Sequence, residues 1–526
     1  MNDTEASSGS LTSWLWLSLL TLVCVFIWQS LQKMWTFKRL GIPGPDPLPI
    51  WGNSLTLIRK GQKEMFPLWK KQYGKVFGIM SPSSCVVVVH DLDLLREVMV
   101  KRFSSFANRG TQSVINYKPW NLSLLGLKND HWKHVRGTLS PTFSSVKLKK
   151  MMPAIERVVH NLVDNVQEKA RNNEAVELKK FCACFTMDVI AGAAFGLQVD
   201  SVKNPQDQFV YHGHNLMFGR RWVLRLSAFV PWLIPVLNRF GLTFFPPASS
   251  QFFTRVIDRA LEERRRHQDK KFHDFLQLLL EAETDKDEEV DAEIDHRSYL
   301  SMSTHWTRKG LTLDEMHGNV LLFFLAGHDT VSSAMSTTLF CLAANPECLS
   351  KAQQEVDKKL GQRPPDYQSI SELQYLDMCM NEAMRLLGPI VALDRECVED
   401  TELGGYKVLK NMRILIPIEV IHNDPDIWPD PSKYDPERHT PEARATRHPF
   451  SFMPFGLGPR NCIGMRLAQL EIRMALAAVL QRFTPVLCEK SVYPPTNFYQ
   501  GTKVSKDGLW IKFQPRASGP SSEKMA

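Results

Sequence analysis

The 526-residue chain has no Cys-x-x-C pair, no internal repeat and no Gly/Ser-rich linker. Its ten cysteines are scattered and only Cys182-Ala-Cys184 stand close, which excludes a disulfide framework and a zinc site and fits a reducing compartment. Gly-x-Gly occurs once, at Gly456-Leu-Gly458, without the strand-turn-helix setting of a dinucleotide-binding fold. No flavin or nicotinamide domain is encoded, so a redox protein of this sequence takes its electrons from another molecule. A basic stripe interleaved with aromatics is also missing, which argues against nucleic acid as a partner. Apolar residues, by contrast, are plentiful at 44%. Length alone suggests about three domains at ~150 residues each. No break in composition divides residues 50–515, and one large domain is the better expectation.

Leu11 to Trp28 form the one continuous apolar run long enough for a membrane span, about 18 residues without an interior charge. Asp3 and Glu5 precede it and Lys33, Lys38 and Arg39 follow, which puts the N-terminus in the lumen and the remainder in the cytosol. A cleaved signal peptide would want a basic start and a small-residue cleavage site, and the run has neither. The expected organisation is a short lumenal segment (1–10), a single-pass signal anchor in the endoplasmic reticulum membrane (11–30), a basic and proline-rich linker (31–50), the catalytic domain (51–515) and a tail (516–526). Pro43-Gly-Pro45-Asp-Pro47-Leu-Pro49 makes that linker a stiff spacer.

The net charge is +8, and basic residues gather at Lys133, Arg136, Lys147, Lys149 and Lys150. They read either as a docking patch for an acidic protein or as a solvated face. The acidic stretch Glu283 to Asp295 reads as a solvated connector. Phe229 to Phe253, rich in proline and aromatics, is either a second, peripheral membrane contact or a buried apolar segment.

One cysteine has a distinctive setting, Phe455-Gly-Leu-Gly-Pro-Arg-Asn-Cys462-Ile-Gly464. Glycines at 458 and 464 allow a turn and a close approach, and the apolar run from Met465 to Val479 has helical spacing. A helix starting at the cysteine would favour its thiolate, giving a low-pKa ligand for a metal. Further upstream, Thr312-Leu-Asp-Glu315 is a capping box and Asn345-Pro346 a stop, which predicts one helix over residues 313 to about 344. At its middle stands Phe323-Phe-Leu-Ala326-Gly327-His328-Asp329-Thr330, where small residues leave room for a flat cofactor or O2. Thr330 can bond back to a carbonyl or present its hydroxyl to a ligand.

The cysteine loop resembles the haem-ligand loop of the cytochrome P-450 superfamily, Phe-x-x-Gly-x-Arg-x-Cys-x-Gly, at all five defined positions. Ala326-Gly-His-Asp329-Thr330 is similar to that family's oxygen-activating Ala-Gly-x-Asp/Glu-Thr segment, and Glu382-Ala-Met-Arg385 with Pro436-Glu-Arg438 to its buried Glu-x-x-Arg network. The resemblance implies a mainly α fold with small β-sheets, a single catalytic domain behind one transmembrane helix, and haem b held by the Cys462 thiolate. It implies Arg109, Trp132, Arg136, Arg395 and Arg460 as partners of the haem propionates, with Phe455 and Ala326 lining the cofactor, and a structural role for Glu382, Arg385 and Arg438. Trp132 and Arg136 stand at i and i+4, which suits such a clamp. Two departures are His439 where Phe commonly follows Pro-Glu-Arg, and a displaced proline at Gly388-Pro389.

Longer stretches such as Ser140-Pro-Thr-Phe143, Asn204-Pro-Gln-Asp207 and Tyr375-Leu-Asp-Met378 resemble the steroid- and drug-oxidising subfamily 3A, and Glu442-Ala-Arg444 its thromboxane synthase relatives. The implied activity is insertion of one atom of O2 into a lipophilic substrate, with Thr330, helped by Asp329, passing protons. Ile115 to Leu125, Ala326 and Ile390 to Leu393 would line an apolar pocket. Electrons would come from a separate NADPH-cytochrome reductase, with cytochrome b5 as a second candidate donor. A haem-thiolate isomerase of the thromboxane synthase type, which has no need of the Asp-Thr pair, and a non-enzymatic haem sensor are the competing readings.

Overall fold

The computed structural model describes residues 34–516 apart from 83, 111, 231–232, 268–273, 282–309 and 499–503, with six isolated positions before residue 34. The expected anchor (all but a few positions of it), the acidic stretch Glu283 to Asp295 and the tail beyond 516 lie outside the described residues. Among the described residues no helix is long and apolar enough to cross a membrane.

Helices dominate. Those that frame the site are α1 (Asn129–Leu139), α2 (Ser145–Arg171), α3 (Leu178–Phe195), α4 (Gln208–Phe218), α5 (Pro247–Arg266), α6 (Leu313–Ala344), α7 (Pro346–Leu360), α8 (Gln374–Leu387) and α9 (Met465–Arg482). The strands are short: β1 (Val76–Met80), β2 (Cys85–Val89), β3 (Val176–Glu177), β4 (Leu393–Glu396), β5 (Thr401–Leu403), β6 (Tyr406–Val408), β7 (Arg413–Ile416), β8 (Phe483–Leu487) and β9 (Trp510–Pro515). They make sheets of order β1-β2-β7-β4 and β3-β9-β8 and a β5-β6 hairpin.

The predicted long helix is α6, 32 residues and roughly 48 Å at 1.5 Å per residue. Its start is local chemistry: the Thr312 hydroxyl accepts from Glu315 N–H, and Glu315 Oε2 accepts from Thr312 N–H at 2.8 Å. It ends at Asn345, before Pro346. An apolar surface on all sides places it in the centre, and α3 packs along it while α8 and α9 cover other flanks in one helical core. A smaller core of Val87, Val89, Ile414 and Ile416 with Met99 and Phe106 lies beneath the four-stranded sheet. The stretch from Phe229 to Phe253 divides between its two readings. Phe245 and Phe253 are buried, Phe253 lying 4.5 Å from Phe324 between ring centres, whereas Val236, Phe240 and Leu242 are exposed.

Candidate active site

The loop before α9 is shaped by two glycines. Gly456 and Gly458 hold φ of +67° and +76°, a region that side chains resist, and a Cβ on Gly458 would strike the Met99 carbonyl oxygen. Gly464 behaves differently from expectation: its φ is −86°, and a Cβ there would meet only Phe143, at 3.8 Å. Cys462 N–H donates to the Phe455 carbonyl at 2.9 Å, which closes the loop, and the cysteine presents an exposed face.

Three separate segments bring cations to this loop. Glu396 N–H on β4 donates to Asn108 O at 2.9 Å, while Asn108 exchanges side-chain bonds of 2.7 and 2.9 Å with Asn129 at the start of α1. Arg109 and Arg136 are thereby brought within electrostatic reach of Cys462, and Arg395 within reach of Arg109 and Arg460. Arg136 donates to Asn461 Oδ1 at 3.0 Å. Arg460 lies 4.0 Å over the Trp132 ring and donates to the carbonyls of Ala107, Leu124 and Leu127. Trp132 therefore serves as a platform for Arg460, a role its sequence position did not announce.

The four guanidinium groups repel one another. Burial pulls Arg460 down to about 8, and Arg109, Arg395 and Arg136 add to the shift. Arg395 is pulled to about 10 by burial and by Arg109, and its Nε has no hydrogen-bond partner. Asp394 opposes this charge, but its Oδ2 already accepts from Gly110 N–H at 2.8 Å and from Arg413 at 3.2 Å. Four crowded cations with one engaged carboxylate suit a dianionic ligand, because an anion removes the repulsion and supplies acceptors. The two propionates of a haem fit that requirement.

The expected low-pKa thiolate is not what the chain alone produces. Burial pushes the Cys462 thiol above its ordinary value, outweighing a bond from Gly464 N–H and the charges of Arg136 and Arg109. The physical reason is partly positional: α9 begins at Met465 with Gly464 as its cap, so the sulfur lies ahead of the helix rather than on its first turn. The residue as a whole is exposed, yet its sulfur is desolvated by the surrounding protein. A bound metal cation, not the helix, must favour the thiolate.

At the middle of α6 the burial pattern breaks. Met316 to Leu321 and Val331 to Ala343 are buried, but Ala326 and Asp329 are exposed. Thr330 takes the first of its two options, its hydroxyl donating to the Ala326 carbonyl at 2.6 Å. The Asp329 carboxylate is ion-paired to Lys179 Nζ at 2.7 Å.

A family model described as Cytochrome P450 matches residues 42–507. The chain belongs to the cytochrome P450 family. It is 35% identical over 506 residues to Cytochrome P450 3A29 of Sus scrofa, covering 95% of this chain and 96% of that protein. Against Cytochrome P450 3A7 and 3A5 of Homo sapiens it is 34% identical, covering 96% and 97% of this chain and 97% and 98% of those proteins. This P450 is accordingly a haem-thiolate monooxygenase that binds haem b through a cysteine.

Elsewhere in this P450 the Glu-x-x-Arg pair is fully buried. Arg385 donates to both carboxylate oxygens of Glu382 at 2.8 and 2.7 Å and to the carbonyls of His422 and Lys433. Arg438 approaches Glu382 at 3.5 Å, as its motif implied. Sequence reasoning missed a further member, visible there only as a departure from the common Phe. His439 Nε2 lies 2.9 Å from Glu382 Oε2, and its ring packs on Phe452.

Burial works against the Glu382 charge, yet the bonds from Arg385 and His439 hold its carboxyl below the usual range. Burial also lowers His439, with Arg447 and Arg444 assisting and Glu382 opposing. An unfolded imidazole takes up its proton near pH 6.5 (about its usual value), whereas His439 in the folded protein takes it up lower. Its contribution to stability is therefore complete above about pH 6.5 and is lost as the pH falls below it. His90 and His328, lowered by burial to about 3 and about 4, act in the same direction. The difference between wild type and His439→Gln isolates one residue: unfolding midpoints from pH 8 to 5 should fall less steeply in the variant. Parallel curves would refute this account.

Proposed function

We propose that this P450 is a membrane-anchored monooxygenase for lipophilic substrates, with Cys462 as its haem ligand and a separate NADPH-cytochrome reductase as its electron donor. The observation that carries the assignment of the cofactor site is the cluster Arg109, Arg136, Arg395 and Arg460 around the Cys462 loop, with Asp394 as its acid. When bound, haem b supplies reductive activation of O2, and the thiolate's electron donation favours O–O cleavage.

The chain's own residues divide the remaining work. Phe455 holds the Cys462 backbone by its carbonyl, and the arginines would fix and neutralise the propionates, with Trp132 supporting Arg460. Ala326, exposed on α6, offers a small flat flank, and Ile115 and Leu393 are apolar residues that would line the site of a lipophilic substrate with it. Thr330 holds a proton at Oγ1, at present donated to the Ala326 carbonyl, and Asp329 is the exposed carboxylate next to it that can relay a replacement proton from solvent.

Exposed Lys133, Lys149 and Lys150 support docking of an acidic reductase on this side of α1 and α2. Lys147, also in the group, already reaches Glu281 at 3.6 Å. Exposed Trp222, Leu224, Val236 and Phe240, the last 74% accessible, support a peripheral membrane contact in addition to the proposed anchor at residues 11–30.

The test is the yield of oxygenated product per NADPH consumed, in wild type and Thr330→Ala. The variant should keep its spectrum and its substrate-induced Soret shift yet lose product yield by at least about tenfold, electrons leaving as hydrogen peroxide or water. Fast NADPH-independent turnover of a prostaglandin endoperoxide, insensitive to Thr330→Ala, would instead establish the isomerase.

A further inference from the structure

The acid of the oxygen-activating segment is held by a residue from a different helix. Lys179 is placed in the first turn of α3, where Glu177 caps the helix by accepting from Lys179 N–H at 3.3 Å and from Lys180 N–H at 2.8 Å. Leu509 N–H donates to the same Glu177 carboxylate at 3.2 Å, which ties the cap to the segment before β9. From this fixed root the Lys179 ammonium reaches four acceptors on α6: Asp329 Oδ1 and Asp329 O, both at 2.7 Å, Ser332 Oγ at 2.8 Å and Ser333 Oγ at 2.6 Å. The lysine side chain is 19% exposed, the carboxylate 55%.

The arrangement is more than an ion pair. Ser332 and Ser333, while accepting from Lys179, donate their own hydroxyl protons to the Asp329 carbonyl at 3.0 and 2.8 Å. That single carbonyl thus receives three donors beyond its place in the helix. One turn earlier, the Ala326 carbonyl receives the Thr330 hydroxyl. The Lys179 bonds run from one helix to the other and so clamp this stretch of α6 against α3. Both loaded carbonyls bracket the exposed stretch of α6, so the ammonium fixes the direction of the carboxylate and the geometry of the helix at once. Thr186, two turns further along α3, supports the same contact by donating to the His328 carbonyl at 3.1 Å.

We infer that Lys179 is a positioning residue for proton delivery, holding Asp329 and the 326–333 segment of α6 in the geometry from which Thr330 is supplied. Lys179 acts through Asp329. The inference rests on the monooxygenase reading for its functional half and on the hydrogen-bond geometry for its structural half.

The experiment uses the full-length holoenzyme and three variants: Lys179→Met, which removes the ammonium but keeps a long stem, Lys179→Arg, which keeps a cation, and Asp329→Asn. Two readouts are taken. In amide hydrogen exchange without substrate, residues 330–334 of Lys179→Met should exchange at least about fivefold faster than wild type, and those of Lys179→Arg within about twofold. In product per NADPH, Lys179→Met should lose about fivefold or more with an unchanged reduced carbon monoxide spectrum, and should lose nothing further when combined with Asp329→Asn, since both changes break one unit.

Wild-type exchange in Lys179→Met overturns the inference, as do additive losses in the double variant. Loss of the spectrum in Lys179→Met also overturns it, by making Lys179 a requirement of the whole fold. If wild type yields no NADPH-dependent product, the monooxygenase reading fails, while the exchange measurement still decides the structural half.

Discussion

Cys462→Ala is expected to abolish the thiolate-type spectrum of the reduced carbon monoxide complex and with it all NADPH-dependent oxygenation. No other described cysteine can substitute. Of the nine described cysteines Cys462 alone is exposed, while Cys182, Cys341, Cys379 and Cys397 are buried. None of them stands in a turn forced by two positive-φ glycines. The arginine cluster survives the substitution, so haem binding through its propionates should weaken without disappearing. The measurement pairs the difference spectrum with the ratio of haem to protein, and a persisting thiolate-type band in the variant would refute the ligand assignment.

The features legible in the sequence were those whose causes are local. The bounds of α6 follow from a capping box and an Asn-Pro stop within a few residues of each end, and both were predicted. The Cys462 loop and the Glu382–Arg385 pair were legible as short motifs. Other features depend on what approaches through space. The raised thiol of Cys462 reflects burial, which outweighs the opposing charges of Arg109 and Arg136 brought in from segments more than 300 residues away in sequence. Lys179 and Asp329 are 150 positions apart, and nothing in the periodicity of α3 distinguishes Lys179 from Lys180. Phe240 and Phe253 belong to one aromatic-rich stretch, yet the first is exposed and the second buried, because α5 turns Phe253 toward Phe324. His439 was visible as an oddity, but its bond to Glu382 requires the chain to fold back across 57 residues.

Arg385→Leu is the second change of large expected effect, and it acts on folding rather than chemistry. The side chains of Arg385 and Glu382 are both 0% exposed, so neither ion can recover hydration when its partner is lost. Removing one member of such a pair costs about 3–5 kcal/mol, a large share of the roughly 5–15 kcal/mol that holds a typical folded protein together. Here the loss is compounded: Glu382 would retain His439, Asp435 N–H and a distant Arg438, and the carbonyls of His422 and Lys433 would lose their shared donor. Leucine cannot supply the cation that stacks 5.1 Å from the Trp428 ring. Lys351–Glu437 provides the contrast, an ion pair at 2.9 Å whose side chains are 57% and 51% exposed. Water screens that pair, and Lys351→Met should leave the denaturant midpoint nearly unchanged. Denaturant midpoints and haem content of both variants are the measurements. Arg385→Leu should purify poorly, with a lowered midpoint and little haem, beside a near-normal Lys351→Met. Equal midpoints in the two would mean that the buried network does not hold this fold together.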